Sequence, residues 1–319
     1  MSASHTATPG GGFQTLAVVG LGLLGGSVAA AARERGLVSR VVGVSRRPET
    51  AQQARARGIV DEAGLDLAAG VAGADLVVLA TPVYAMEGVL RQAAGHLQPG
   101  AIVTDVGSVK GPLADTLPGL LPPGVRYIGS HPMAGSHASG IEHARADLFE
   151  GAACVLTPNG EDGETARLAA FWRALGARVE LRAPADHDDE VAWISHVPHA
   201  VAFAFARALD RAPEAARALR GSGFRDFTRV ARSEPEMWAD IFVTNHKAMA
   251  APLQEVSQRL AELARLIESG DHDAVSATIS AARELLADDG SSAVEDGGNA
   301  RSGGGNPEIQ AAQEAATKE

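Results

Sequence analysis

Cysteine is almost absent from this chain. Its single example, Cys154, has no partner for an internal disulfide, so nothing here calls for an oxidising compartment. Cys154 lies in the apolar run Ala152–Leu156, which reads as a strand. A small buried hydrophobe is expected there rather than a nucleophile. Basic charge is also scarce: 28 Lys and Arg against 39 Asp and Glu give a formal net charge of -11. A phosphate-backbone binder carries a basic face, so nucleic acid is not the expected partner. An anionic small molecule would need local positive charge gathered against the overall field. No apolar run approaches the ~18 residues of a membrane span. The N-terminal stretch lacks the basic and apolar regions of a signal peptide. A soluble cytoplasmic protein with no membrane partner is therefore expected.

Large apolar residues are nearly absent from both ends. Residues 1–12 are small and polar, and residues 289–319 are mostly Gly, Ser, Glu, Asn and Ala. Neither stretch can bury enough surface to offset chain entropy, so both are expected to be disordered. No internal repeat is visible. The hydrophobic share of 45% is enough for a substantial core, and 319 residues suit two domains.

Two textures follow one another between the ends. From Phe13 to Ala183, β-rich runs alternate with Ala- and Arg-rich helical stretches. The runs are Thr15–Gly20, Arg40–Ser45, Asp75–Ala80, Ala101–Asp105, Arg126–Ser130, Ala152–Thr157 and Arg178–Leu181. Such alternation predicts a parallel sheet with helices on both faces over residues 13–183. From Pro184 the strand signals stop. Asp186–Leu209 reads as one long helix, and further helices end with Asp271–Ala287. The expected fold is an α/β, Rossmann-like parallel-sheet domain followed by an all-α domain over residues 184–288. The apolar stretch Val191–Leu209 suits either a subunit interface or a buried core helix.

The first strand opens directly into Gly20-Leu21-Gly22-Leu23-Leu24-Gly25 and a helix. A G-x-G-x-x-G string alone is weak evidence, but here it has the strand-turn-helix context that a dinucleotide needs. Gly20 permits the turn, Gly22 lets the backbone approach a pyrophosphate, and Gly25 lets helix and strand pack. The free N–H groups of the helix start, at Leu23 and Leu24, complete the phosphate site.

At the end of the second strand an acid is missing. An NAD-binding turn of this kind carries Asp or Glu there for the ribose 2′-hydroxyl. This chain has Ser45, Arg46 and Arg47, which suit a 2′-phosphate and favour NADP, with NAD as the alternative. Thr81 and Pro82 end another strand and would line the cofactor, or simply form a turn.

Three segments carry candidate chemistry. Ser108 and Lys110 follow a strand in Thr104–Gly111; they could bind a substrate hydroxyl or shape the loop. His131 follows a strand in Gly129–Gly140, where an imidazole facing a nicotinamide can take a proton from a hydroxyl near neutral pH. The third segment is split across the helical half: His196 and His199, then Arg225 and Arg229, then Trp238. His187, Asp188, His196 and His199 superficially suggest zinc, but Pro198 disturbs the helical spacing and no Cys set stands nearby, so no metal is expected. Arg225 and Arg229 share a helix face. They could bind a carboxylate or pair with Asp226 and Glu234.

The runs GLGLLGGS, TDVGSVKG, GSHPMAGSHASG, ADHDDEVAWISHVPH and GSGFRDFTRVARSEPEMWADIF, in this order over residues 14–287, resemble the prephenate and arogenate dehydrogenase family. SHPMAG and GFRD-x-TR are its most specific segments. The resemblance implies oxidative decarboxylation of prephenate to 4-hydroxyphenylpyruvate, or of arogenate to tyrosine, by a Rossmann domain joined to a helical dimerisation domain. A homodimer through the helical half is expected on that basis. The resemblance assigns His131 to the catalytic histidine that hydrogen-bonds the ring hydroxyl. Ser108 matches the serine that orients this histidine, and Arg229 the arginine that holds the ring carboxylate. His196 and Ser136 match pocket contacts. Trp238 matches a tryptophan near the substrate that can reach across a dimer. Arg229, Arg225, Lys110 and His196 would supply the positive patch for a dianion. His137 stands where relatives carry an acid or a small residue. The Ser45-Arg46-Arg47 strand end resembles the NADP-using, arogenate-type branch. No regulatory amino-acid-binding domain is expected after the helical half.

Two other classes compete. A hydroxyacid dehydrogenase of similar build would place a catalytic Lys on the first helix of its second domain, and Ala183–Leu209 has none. A redox-sensing NADP-binding protein would not need His131, Ser108 and Arg229 to converge.

Overall fold

The computed structural model describes residues 12–135, 138–160 and 162–287. The first part alternates strands and helices: β1 (Thr15–Val19), α1 (Leu23–Glu34), β2 (Arg40–Val44), α2 (Pro48–Ala56), β3 (Glu62–Gly64), α3 (Leu67–Val71), β4 (Leu76–Leu79), α4 (Val83–Ala93), β5 (Ile102–Asp105), α5 (Gly111–Thr116), β6 (Arg126–Tyr127), β7 (Gly129–Pro132), β8 (Ala153–Thr157), α6 (Gly163–Ala174) and β9 (Arg178–Leu181). Helices then follow: α7 (Pro184–Val191), α8 (Val197–Ala208), α9 (Ser222–Arg229), α10 (Pro235–Thr244), α11 (His246–Ser269) and α12 (His272–Ala287).

Six strands form a parallel sheet in the order β3-β2-β1-β4-β5-β6. The central strands are short apolar runs buried on both faces, as a sheet covered by helices on each side requires. Alternate residues serve opposite layers. Leu16, Val18, Leu76, Val78 and Ile102 join the core under α1 and α6, whereas Ala17, Val19, Val77, Leu79 and Val103 join the core under α4 and α5. The strand order reverses between β1 and β4. The crevice at their carboxyl ends is the usual ligand position in such sheets.

The structure corrects the reading of this half in two places. The run Arg126–Ser130 is two strands. β6 closes the parallel sheet and, after Ile128, β7 starts a second sheet of order β7-β8-β9, with β7 antiparallel to β8 and β8 parallel to β9. Residues on both sides of the break are apolar and buried, so no local signal marks it. The edge strand β3 is an addition to the sequence reading, because Glu-Ala-Gly has no strand pattern.

The expected single helix over Asp186–Leu209 is also interrupted. Between α7 and α8, Ala192–His196 form a wider π turn. Pro198 has no N–H and its ring crowds the preceding turn, so the regular ladder cannot run through it. The apolar stretch Val191–Leu209 is half core and half surface. Val191, Ala192, Val197 and Ala202 are buried, while Trp193, Ile194 and Phe205 are exposed. By backbone contacts the chain divides into one unit up to Glu255 and another from Val256. Among the described residues no helix is long and apolar enough to cross a membrane.

Candidate active site

The register of the sheet brings the proposed ligand residues level. Val19 pairs with Leu79, and Leu79 with Asp105, so the turns after β1, β4 and β5 share one edge. After β1, Gly20 has φ 103°, and a Cβ there would collide with the Ala80 carbonyl. At Gly25 a Cβ would collide with the Gly20 carbonyl oxygen. Gly22 faces open space: a Cβ added there would meet nothing within 4 Å. Leu23 and Leu24 open α1, whose first turn has neither a side-chain cap nor an acidic residue to compete for its N–H groups. Thr81 Oγ1 is buried at the same edge without a partner. Bare amides, an open glycine and an orphaned hydroxyl fit a dinucleotide. At the end of β2, buried Ser45 accepts a hydrogen bond from the Arg47 N–H at 3.1 Å, and both Arg46 and Arg47 are exposed.

β7 is tied to the same edge. Thr104 and Ser130 hydroxyls lie 2.6 Å apart, and Trp172 donates its indole N–H to Ser130 Oγ at 3.0 Å. The next residue is His131, which is 7% exposed. Its Nδ1 is 2.8 Å from His187 Nε2. His187 Nδ1 in turn is 2.8 Å from Asp188 Oδ1. Burial above all, with any positive charge on neighbouring His187, Lys110 or His196 acting in the same direction, holds the His131 imidazole well below the usual histidine range. It is neutral at pH 7.

Ser108, half-buried, leads into Val109, and Val109 packs in one small core with Trp238 and Ile241 of α10. This links the β5 loop to the helical elements. Asp240 of α10 also accepts the Tyr84 N–H of α4 at 3.3 Å, just beyond Thr81 and Pro82. Trp238 stacks on His199 with ring centroids 3.7 Å apart. His199 donates from Nδ1 to the Ser195 carbonyl at 2.8 Å. Burial lowers its pKa, the Ser195 carbonyl raises it, and the Arg229 charge lowers it further. Arg229, exposed on α9, is thus within electrostatic reach of His199. Trp238 Nε1 is buried without a partner.

Comparison with known proteins identifies the family. Residues 28–181 match the family model for the prephenate dehydrogenase nucleotide-binding domain, and residues 183–281 match that for the prephenate dehydrogenase dimerization domain. The chain belongs to the prephenate dehydrogenase family. It is 32% identical to the prephenate dehydrogenase of Bacillus subtilis over 263 residues, covering 81% of this chain and 71% of that protein. It is similar to the crystal structure of prephenate dehydrogenase from A. aeolicus in complex with hydroxyphenyl propionate and NAD+. That match has TM-score 0.79 and 31% identity, over 86% of this chain and 98% of the other. The Synechocystis arogenate dehydrogenase structure matches with TM-score 0.73 and 36% identity, over 86% and 99%.

Within this family fold, the expected site residues divide into groups. Gly20, Gly22, Leu23, Leu24, Gly25, Thr81 and Pro82 share the carboxyl edge of the sheet with Ser108, and β7 brings His131 to it. Trp238 is packed inside its own chain, against His199 and Val109. Ser136 and His137 lie outside the described residues.

The anticipated positive patch needs correction. Lys110 is fully buried and ion-paired with Asp105, so its charge is already neutralised. Tyr127 donates to the other oxygen of Asp105 at 2.7 Å, and burial followed by the Asp105 charge raises its pKa well above the usual value. Arg225 donates to the Arg220 carbonyl at 3.0 Å rather than pairing with Asp226 or Glu234. His196 is 1% exposed and bonded through Nδ1 to Asn245 at 2.9 Å. Burial pulls its pKa down to about 4, so it is neutral at pH 7. Of the four expected cations, Arg229 and Arg225 keep free charge. Burial likewise pushes the Cys154 thiol far up, which leaves it inert.

Sequence reasoning considers His187 and Asp188 only as metal ligands, and it misses Asn245 and the stacking of His199 on Trp238. The polar run Asp186–Glu190 holds one usable signal, since buried polar residues at a helix start seek partners.

Proposed function

We propose that this protein oxidises prephenate to 4-hydroxyphenylpyruvate with release of carbon dioxide. The observation that carries the reading is the buried, neutral His131 on β7, whose neighbour Ser130 is hydrogen-bonded to Thr104 of β5, the strand that leads into Ser108. A nicotinamide dinucleotide bound on that turn supplies the hydride acceptor. His131 takes the ring hydroxyl proton as the ring carbon is oxidised. The ring carboxylate then leaves as carbon dioxide, its electron pair makes the ring aromatic, and His131 returns the proton to the phenol oxygen. Ser108 orients His131. Arg229 aligns the ring carboxylate, while Trp238 and His199 form an aromatic wall with one unpaired N–H. Arg229 must orient without holding tightly, because binding the ground state alone does not raise kcat.

Arogenate is the second reading, supported by the exposed Arg46 and Arg47 at the end of β2 and by the likeness to the Synechocystis enzyme. The same arginines favour NADP over NAD, since a guanidinium grips a 2′-phosphate bidentately. Residues 13–183 form the cofactor domain in this reading, and residues 184–288 supply substrate contacts and pair two subunits.

Steady-state rates with prephenate and arogenate, each with NAD and NADP, test the proposal directly. Oxidation of neither substrate would refute it. His131→Ala is expected to lower kcat by ~10²–10⁴-fold with little change in dinucleotide affinity, as loss of a general base does.

A further inference from the structure

Behind His131 lies a buried polar chain that the proposed chemistry has not yet used. His187 and Asp188 both belong to α7 and are 1% and 6% exposed. Asp188 Oδ1 accepts the Lys110 backbone N–H at 2.7 Å, and its Oδ2 accepts the Gly111 N–H at 2.8 Å. Its carboxylate is therefore fixed by the start of α5. His187 bridges this carboxylate to His131 with two contacts of 2.8 Å.

The direction of each hydrogen bond follows from the far end. An amide N–H only donates, so both Asp188 oxygens are acceptors. Asp188 Oδ1 then accepts from His187 Nδ1–H as well. With its proton on Nδ1, His187 turns the lone pair of Nε2 towards His131, which obliges His131 to donate from Nδ1. The remaining nitrogen of His131, Nε2, carries a bare lone pair.

We propose that His187 and Asp188 are positioning residues that lock His131 in its Nδ1–H tautomer, present Nε2 as the base and share the proton it receives. This inference rests on the reading of His131 as the base. In the relay, the substrate O–H bond breaks as the Nε2–H bond of His131 forms. The Nδ1 proton of His131 crosses to His187 Nε2, and the positive charge comes to rest beside the Asp188 carboxylate. The path reverses when the phenol oxygen takes its proton back, and nothing in the relay is oxidised or reduced. The groups around His131 match that role. Lys110 and Asp105 neutralise each other on the β5–α5 loop, Tyr127 is bonded to Asp105, and His196 is neutral. The Cys154 thiol on β8 stays protonated. Asp188 is thus the anion placed to receive the charge through His187. Because burial disfavours a charged His131, moving the charge one ring further makes proton uptake easier.

The test compares three full-length variants and one spectrum. His187→Leu removes both contacts and should lower kcat on the order of 10²-fold, with KM and dinucleotide affinity within about twofold. His187→Gln keeps an acceptor for His131 Nδ1 and should recover at least about tenfold of that loss. His131→Ala with His187→Leu should be no slower than His131→Ala alone, since the relay acts only through His131. ¹⁵N NMR of histidine-labelled wild-type enzyme should show His131 as the Nδ1–H tautomer. An Nε2–H tautomer overturns the proposal even if the leucine variant fails to fold. Full kcat in His187→Leu, with His131→Ala inactive, sinks the relay alone. Full kcat in His131→Ala removes the base itself.

Discussion

Arg229 sits in a different environment from His131, and the contrast sorts their roles. His131 is buried, neutral and bonded on one side, as a proton carrier at pH 7 should be. Arg229 is exposed at the end of α9, and its charge is felt at His199. A guanidinium facing solvent contributes binding more than chemistry. Arg229→Ala is therefore expected to raise KM for the diacid about 10-fold or more with a smaller change in kcat, as loss of a charge-assisted contact does. An unaltered KM in initial-rate assays would count against its role. His131, Ser108 and Arg229 stand out in the sequence because they sit in specific motifs. The pairing of Lys110 with Asp105 is hidden there, because the two side chains meet only after the loop folds back.

At the scale of elements, the strand-turn-helix β1–α1 is the most legible part of the chain. Its glycines answer to backbone geometry that any such turn must meet. At Gly25 the neighbour of an added Cβ is backbone, the Gly20 carbonyl oxygen, so α1 would have to move. Gly25→Ala should lower stability by about 1–3 kcal/mol in urea melts, the usual cost of overpacking, and weaken dinucleotide binding. The proposed preference for NADP rests on the end of β2. Ser45 holds the backbone of Arg47 while both arginines remain exposed. Replacing Arg46 and Arg47 by Ala should weaken NADP more than NAD in fluorescence titrations, and equal losses would remove this strand end from cofactor choice. The break between α7 and α8 is foreshadowed by Pro198, although the apolar pattern predicts a continuous helix. Hydrophobic periodicity survives a π turn and does not record the change of ladder.

For the whole molecule, the buried histidines couple stability to pH. Burial lowers the pKa of His196 to about 4 from an ordinary 6.5. Between those values the unfolded chain binds a proton that the native chain excludes. Stability is therefore complete above about pH 6.5 and falls as pH drops towards 4, by on the order of 3 kcal/mol from His196. His131 is shifted in the same direction and adds to the loss. Urea midpoints measured from neutral to mildly acidic pH should decline over this window, and His196→Gln should flatten the decline. An identical slope in that variant would contradict the assignment. The acidic surface, with its net charge of -11, loses charge over part of the same range. The variant comparison separates the two effects.

The sequence by itself determined the alternation of strands and helices up to Ala183, the helical half after it and the strand-turn-helix of the glycine turn, and it supplied the proposed reacting side chains. Each of these is written in contiguous residues, through apolar alternation or through glycines that local geometry demands. Tertiary structure decided what those side chains touch. His131 meets His187 across 56 positions, Lys110 meets Asp188 across 78, and Asn245 meets His196 across 49. Such contacts depend on how separate elements dock, and docking follows from burial summed over whole faces. No local spacing encodes which buried donor will find which acceptor, so the proton path behind His131 became visible only in the folded chain.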